Sequence, residues 1–276
     1  MDEQGFLEEL QEAIRLDQIT LPTLPEVALR VRDAMESEAT SAADIANIIA
    51  TDAALSARLL QVANSPLYRG RTAIDSVQLA VARLGVRLVR YLVVSLATQG
   101  MFLARSNRLN GRFRRLWENS VQVAAISRVL AKSLPHLDAD QAMLAGLIHE
   151  IGALPILVRA ETIGLADEQA LDQLTERLSP TVGRLVLERW DIPQSLVAVT
   201  EHFNDFAYDG APEADYVDVV IVARLESLMG TGHPDAARDW SQIRSFEKVG
   251  LATDIEVVEL EGAEEEMNEV NEMFLQ

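Results

Sequence analysis

Apolar positions recur along this chain with the spacing of helices nearly everywhere. Leu24, Val27, Val31 and Met35 form one stripe. It follows Thr23 and Glu26, which have capping-box spacing, with Pro25 in the first turn. Ser41 and Asp44 repeat the cap signal ahead of Ile45, Ile48 and Ile49. A third short helix is predicted from Asp52, carrying Leu55, Leu59 and Val62. It ends at Asn64-Ser65-Pro66, because the residue before a proline resists the α region, and Asn64 is expected to cap by its side chain. A fourth helix runs from about Ser76 to Leu84 and breaks at Gly85; residues 86–104 read as a long, mostly buried helix.

Longer elements follow. Phe113 to Leu134 is one helix, stopped by Pro135, and Asp138 to about Ile151 is another, with Gly152 as its C-cap. Asp167 to Leu178 comes next; Ser179-Pro180 then caps and opens a helix to Trp190. Pro193 opens a further one through Phe203, and 213–229 is closed by Gly230. No stretch alternates with period two between turn signals, so the fold class is all-α. Leu24, Leu55, Leu59, Leu84, Leu116 and Trp117 are assigned to the core. The most polar gap, 105–112, separates an N-terminal helical bundle from a second helical part packed against it.

Composition narrows the function. With 276 residues, 49% of them apolar, the chain can bury one large core or two modest ones. It has no cysteine, which removes disulfides, thiolate metal sites and cysteine nucleophiles. Its acidic start lacks signal-peptide character, and the apolar run from Tyr91 to Ala104 falls short of the roughly 20 residues a spanning helix needs. A cytoplasmic protein without membrane insertion is the expectation.

The net charge of −19 disfavours nucleic acid as a partner. It is unevenly spread. Residues 69–115 hold ten bases against one acid, whereas 249–276 hold nine acids and no base. That tail keeps a helical stripe of Met267, Val270 and Phe274, so residues 250–276 read as an acidic amphipathic helix, docked or frayed. The charge balance raises the idea that it folds back on the basic segment. Within that segment Arg83, Arg87 and Arg90 are spaced to share a face, as are Arg108, Arg112 and Arg115. A solvated face paired with acids elsewhere is the plainer reading of these six; the functional one is an anionic ligand, such as a nucleotide, or an acidic partner surface.

Nucleophile elbows and phosphate loops are absent from the sequence. Of four histidines, His136 and His233 adjoin prolines and are placed in loops. His149-Glu150, at the end of a predicted helix, could bring an imidazole and a carboxylate to one ion. The plainer reading is an imidazole bonded to a nearby carbonyl beside a solvated glutamate. Glu201-His202 is a second such pair, and alone a weak one.

Several segments in order resemble the HD-related output domain, HDOD. They are Leu21-Pro22-Thr23-Leu24-Pro25-Glu26-Val27, Asp52-Ala53-Ala54-Leu55, Ala63-Asn64-Ser65-Pro66-Leu67-Tyr68 and Leu84-Gly85. Leu116-Trp117-Glu118-Asn119-Ser120, Ala145 through Gly152, Trp190-Asp191-Ile192-Pro193 and Glu201-His202 continue the pattern. The resemblance implies an HDOD domain over about 15–210. Its N-terminal helical part spans about 15–105, and a part related to HD-type metal phosphohydrolases spans 112–230.

The resemblance also implies a bacterial regulatory module whose catalytic relatives hold a divalent metal with histidines and aspartates. Position by position, Asn119 stands at the first ligand histidine, His149 at the second, Glu150 at its aspartate, and Arg224 at the last aspartate. The expectation is therefore a degenerate site with no catalytic residues and no cofactor. A weakly held divalent metal on His149, Glu150 and His202 stays open. The leading reading is a non-catalytic module contacting other signalling proteins; the alternative is a metal-dependent phosphohydrolase with a degenerate cage.

Overall fold

A computed structural model describes residues 5, 6, 9, 12, 24–35, 40–102, 110–165, 167–253 and 255–275. Among these residues helices and turns account for the regular structure, and no strand occurs. In the N-terminal part the helices are α1 (Glu26–Met35), α2 (Ala42–Ile49), α3 (Ala53–Ala63), α4 (Val77–Leu84) and α5 (Val86–Phe102). The second part contains α6 (Asn110–Lys132), α7 (Ala139–Ile148), α8 (Ala153–Thr162), α9 (Glu168–Arg189), α10 (Gln194–His202) and α11 (Tyr216–Ser227). Short 3₁₀ turns at Pro234–Ala237, Trp240–Gln242 and Val257–Glu259 connect these to α12 (Arg244–Val249) and α13 (Ala263–Leu275).

Local chemistry sets the helix starts. Ser41 and Asp44 form the expected capping box, with Asp44 N donating to Ser41 Oγ at 3.2 Å and Ser41 N to Asp44 Oδ2 at 2.9 Å. Asp52, Ser76, Asp138, Asp167 and Asp215 each cap the helix that follows by accepting a first-turn N–H. The Thr23 cap and residues 105–109 of the polar gap lie outside the described residues. Of the assigned core residues, Leu24, Leu55, Leu59 and Trp117 are buried, while Leu84 and Leu116 are only partly so.

Four expectations need correction. Asn64 does not cap α3 with its side chain. Its Nδ2 donates to Ile74 O at 2.8 Å and its Oδ1 accepts from Ile74 N at 2.9 Å, clamping the 65–76 loop across its base. Gly152 is not a C-cap: its φ of −64° is right-handed, α7 stops at Ile148, and Gly152 precedes α8, a helix the sequence reading missed. Pro155 is tolerated there because the first turn of a helix needs no N–H from it. Ser179-Pro180 opens nothing; α9 runs through it as one helix. The carbonyl four residues before Pro180 belongs to Glu176, and it accepts instead from Asn204 Nδ2 at 3.1 Å. Finally, the helix placed at 213–229 begins at Tyr216, where Asp215 and Asp218 make a capping box.

The central element is α6, about 34 Å long at 1.5 Å per residue. It packs against α7, α11 and α13. Gly146 allows the approach of α7, since a Cβ there would lie 2.5 Å from Ala124 Cα. Most buried apolar side chains from Leu24 to Phe274 form one contiguous cluster, so the two predicted parts share a core, while Ile156, Leu178 and Val182 pack with Phe6 in a smaller one. The stretch 139–162 is long and apolar enough to cross a membrane by length and composition. It is broken into α7 and α8, and 83% of its most apolar window is buried within the protein.

The acidic tail is docked. Val270, Met273 and Phe274 are buried against α6, and Met267 is packed against the same core. The Phe274 carbonyl accepts from both Gln99 Nε2, at 2.8 Å, and Trp117 Nε1, at 3.0 Å. Its buried acid, Glu266, pairs with Arg128 at 2.9 Å and with Lys132. Among the described residues both of these cations lie outside 69–115; from that segment Arg69 acts on Glu269 through charge.

Candidate functional site

The first turn of α7 is where the N-terminal part is fastened. Arg87 lies 3.2 Å from Asp138, Tyr68 Oη donates to Asp140 at 2.7 Å, and Tyr91 Oη donates to Gln141 at 3.0 Å. Arg128 joins the same Asp140 oxygen at 2.6 Å, with its guanidinium over the Tyr68 ring. Burial pushes the Tyr68 hydroxyl up, so it stays a proton donor at neutral pH. From this anchored end α7 runs through an unbroken buried stretch, Ala142 to Ile148, and delivers His149 at its C-terminus.

His149 is 1% exposed. Its Nδ1 is 2.7 Å from Gly146 O; a carbonyl only accepts, so the proton sits on Nδ1 and Nε2 is left as the acceptor. Nε2 lies 3.8 Å from Glu150 Oε2, and the ring meets Phe203 edge-on at 5.1 Å. Burial pulls the imidazole pKa down, Arg224 adds to that, and Glu150 and the Gly146 carbonyl oppose it. The ring is accordingly neutral at neutral pH.

Arg224, on α11, is buried at 7% exposure. Its guanidinium carbon stands 5.8 Å from the Phe203 ring and 5.9 Å from Phe206. Nη1 is 3.2 Å from Asp235 Oδ2. Asp235, equally buried, also takes Arg238 at 3.3 Å, and Trp240 Nε1 donates to its backbone carbonyl at 2.9 Å. Phe203 therefore links the two sides of the site, with the His149 imidazole at its ring and the Arg224 cation near it. Asp235, Phe206 and Arg238 were not singled out in the sequence. Only the cap-like run His233-Pro234-Asp235 hinted at order there.

The other candidates fall elsewhere. Asn119 is exposed on α6, with no hydrogen bond to His149, Glu150 or Arg224 among the described residues. His202 does not join His149; it faces Asp205 at 3.5 Å and packs its ring on Tyr208 at 5.2 Å. Glu201 pairs with Arg184 at 3.1 Å, and His136 Nε2 bonds Ala214 O at 2.7 Å. Arg83 turns onto Thr72 O at 2.6 Å, and Arg112 is held by Glu168 and Asp172. Arg90 is half-buried on α5, Arg115 is exposed on α6, and Arg108 lies outside the described residues. Arg87 and Arg112 thus pair with acids of other elements, whereas Arg83 bonds a backbone carbonyl of its own segment.

Among the described residues no three His, Asp or Glu side chains come together as a metal-holding group. His149 and Glu150 supply two donors, and Arg224 places a permanent positive charge near them. This set does not fit a divalent cation, which needs more donors and no competing cation.

The comparisons agree with this architecture. The HDOD domain family matches residues 21–206. A candidate metal-dependent phosphohydrolase from Shewanella amazonensis SB2B is 30% identical over 99% of both chains, with a TM-score of 0.84. An HDOD domain protein of unknown function from Geobacter sulfurreducens is 23% identical over 100% of both chains, with a TM-score of 0.66. A candidate signal transduction protein from Marinobacter aquaeolei VT8 is 20% identical over 100% of this chain and 67% of its own, with a TM-score of 0.65. At this identity the last two speak for the fold alone. An uncharacterized protein from Treponema pallidum (strain Nichols) is 24% identical over 73% of this chain, and the match spans only 40% of that relative's length. With the family matching across both helical parts and an all-helical relative superposing along the whole length, the chain belongs to the HDOD family.

Proposed function

We propose that this chain is a non-catalytic, cytoplasmic HDOD module that regulates signalling through contacts with other proteins. The observation that supports the reading is the buried Arg224, tied to Asp235 and stacked near the Phe203 ring that His149 also touches. Arg does not deprotonate in proteins, so a cation stands on the ground a divalent ion would need, and the remaining donors are too few to hold one tightly. The neutral His149 is then a packed core residue, bonded to Gly146 O, rather than a ligand.

The rival reading, a metal-dependent phosphohydrolase, draws on the description of the Shewanella relative and on the adjacency of His149 Nε2 to Glu150. Elemental analysis of purified protein, with turnover of p-nitrophenyl phosphate in manganese, separates the two. The proposal expects metal far below one ion per chain and no turnover above buffer. One metal per chain, with activity abolished in Glu150→Gln, would overturn it; that residue is partly exposed, so the variant tests the site without testing the core.

A further inference from the structure

We propose that the end of α11 and the segment 255–265 form a docking surface for a partner protein that presents a basic amphipathic segment. Met229, Ile255 and Val258 are large apolar side chains exposed at 43%, 39% and 47%. Buried Val257 pins this segment to α11: its N–H donates to Glu226 Oε2 at 3.1 Å, and in the turn that closes α11 Met229 N donates to the carbonyl of the same Glu226 at 3.1 Å. With Val257 turned inward, its neighbours Ile255 and Val258 are left in solvent.

Acids flank Ile255 and Val258 along the chain. Glu256, Glu259 and Glu261 are exposed, and among the described residues none of them has a cationic partner. Past Leu260 the same strip becomes one wall of a groove of about 450 Å³ between α6 and α13; Glu261, Glu265 and Glu269 line the tail side, and Arg128 and Lys132, both paired with Glu266, line the α6 side. Burial, with the neighbouring Glu265 and Glu266, pushes the Glu269 carboxyl up, and Arg69 and Lys132 oppose the shift. Exposed apolar side chains flanked by Glu256, Glu259 and Glu261, which have no cationic partner among the described residues, are complementary to a helix with an apolar stripe flanked by Lys or Arg. Since 249–276 carries no base of its own, the positive charge must come from outside the tail.

This inference rests on reading the chain as a protein-contacting module, but the two fail separately. Phosphoester turnover bears on that reading alone, and the following titration on this surface alone. The full chain is titrated into a fluorescein-labelled 18-residue Lys/Leu amphipathic helix, and affinity is read by anisotropy across a salt series. The combined variant Met229→Ser, Ile255→Ser, Val258→Ser is expected to weaken binding at least tenfold. Glu256→Gln, Glu259→Gln, Glu261→Gln should weaken it similarly and flatten its salt dependence. Glu118→Gln, Glu176→Gln, Glu213→Gln removes the same charge from exposed positions elsewhere. Unchanged affinity in the serine variant would overturn the proposal, as would an equal loss in this last variant, which would assign binding to overall charge.

Discussion

Arg224 and Asp235 lie 3.2 Å apart, both buried, on elements separated by a turn that carries no apolar periodicity. The pair fixes a cation near the imidazole of His149. Taking Asp235 away leaves the Arg224 guanidinium buried without its carboxylate, which is far costlier than replacing both by apolar groups. Asp235→Ala is expected to cost about 3 kcal/mol in urea unfolding. The double replacement Arg224→Met, Asp235→Leu should cost clearly less than that. If the double change is the more damaging of the two, the pair is a net stabiliser and this account of it is wrong.

The neutral His149 makes stability depend on pH. Its pKa is pulled below the ordinary value of 6.5 by burial, so the unfolded chain binds the proton more readily than the folded one. Stability is therefore full above pH 6.5 and falls as the pH drops through the range between the unfolded and folded values. Urea midpoints measured from pH 7.5 to 5 should decline in the native chain and decline less in His149→Phe. Parallel profiles would mean that this imidazole is not the group responsible.

Asn204 substitutes for a hydrogen bond that Pro180 removes from α9. Its amide donates to the Glu176 carbonyl at 3.1 Å. Asn204→Ala should cost about 1 kcal/mol, the usual net worth of such a bond. In a Pro180→Ala background the backbone N–H restored at position 180 can take that carbonyl, and the Asn204→Ala penalty should shrink. A double-mutant cycle showing equal penalties in both backgrounds would remove the proposed link.

Phe274 fastens the tail helix. It is fully buried, it packs edge-on to Trp117 at 6.1 Å, and its carbonyl takes the Trp117 indole N–H. Phe274→Ala should cost about 3–5 kcal/mol, the range for truncating a buried aromatic. Because Trp117 is one of three tryptophans, the intrinsic emission should shift to the red as water reaches it. A stable variant with unshifted emission would show that the helix is held by its Glu266 contacts instead.

By itself the sequence determined the helical class, most helix starts and the stripes that face the core. Ser41, Asp52, Ser76 and Asp138 act within one turn, and apolar spacing reflects the pitch of a single helix, so both can be read without knowing what lies across the fold. The order of weak motifs also pointed to the family that matches residues 21–206. The tertiary structure alone decided the rest, because those outcomes depend on groups distant in the chain. Pro180 stays inside a helix owing to an amide 28 residues from the carbonyl it frees. The buried Arg224 depends on a carboxylate from a later turn, and Arg83, Arg87 and Arg112 are drawn into contacts that spacing along one helix does not encode. Local patterns choose the elements; desolvated polar pairs, formed only when elements meet, choose which charges are left for a partner.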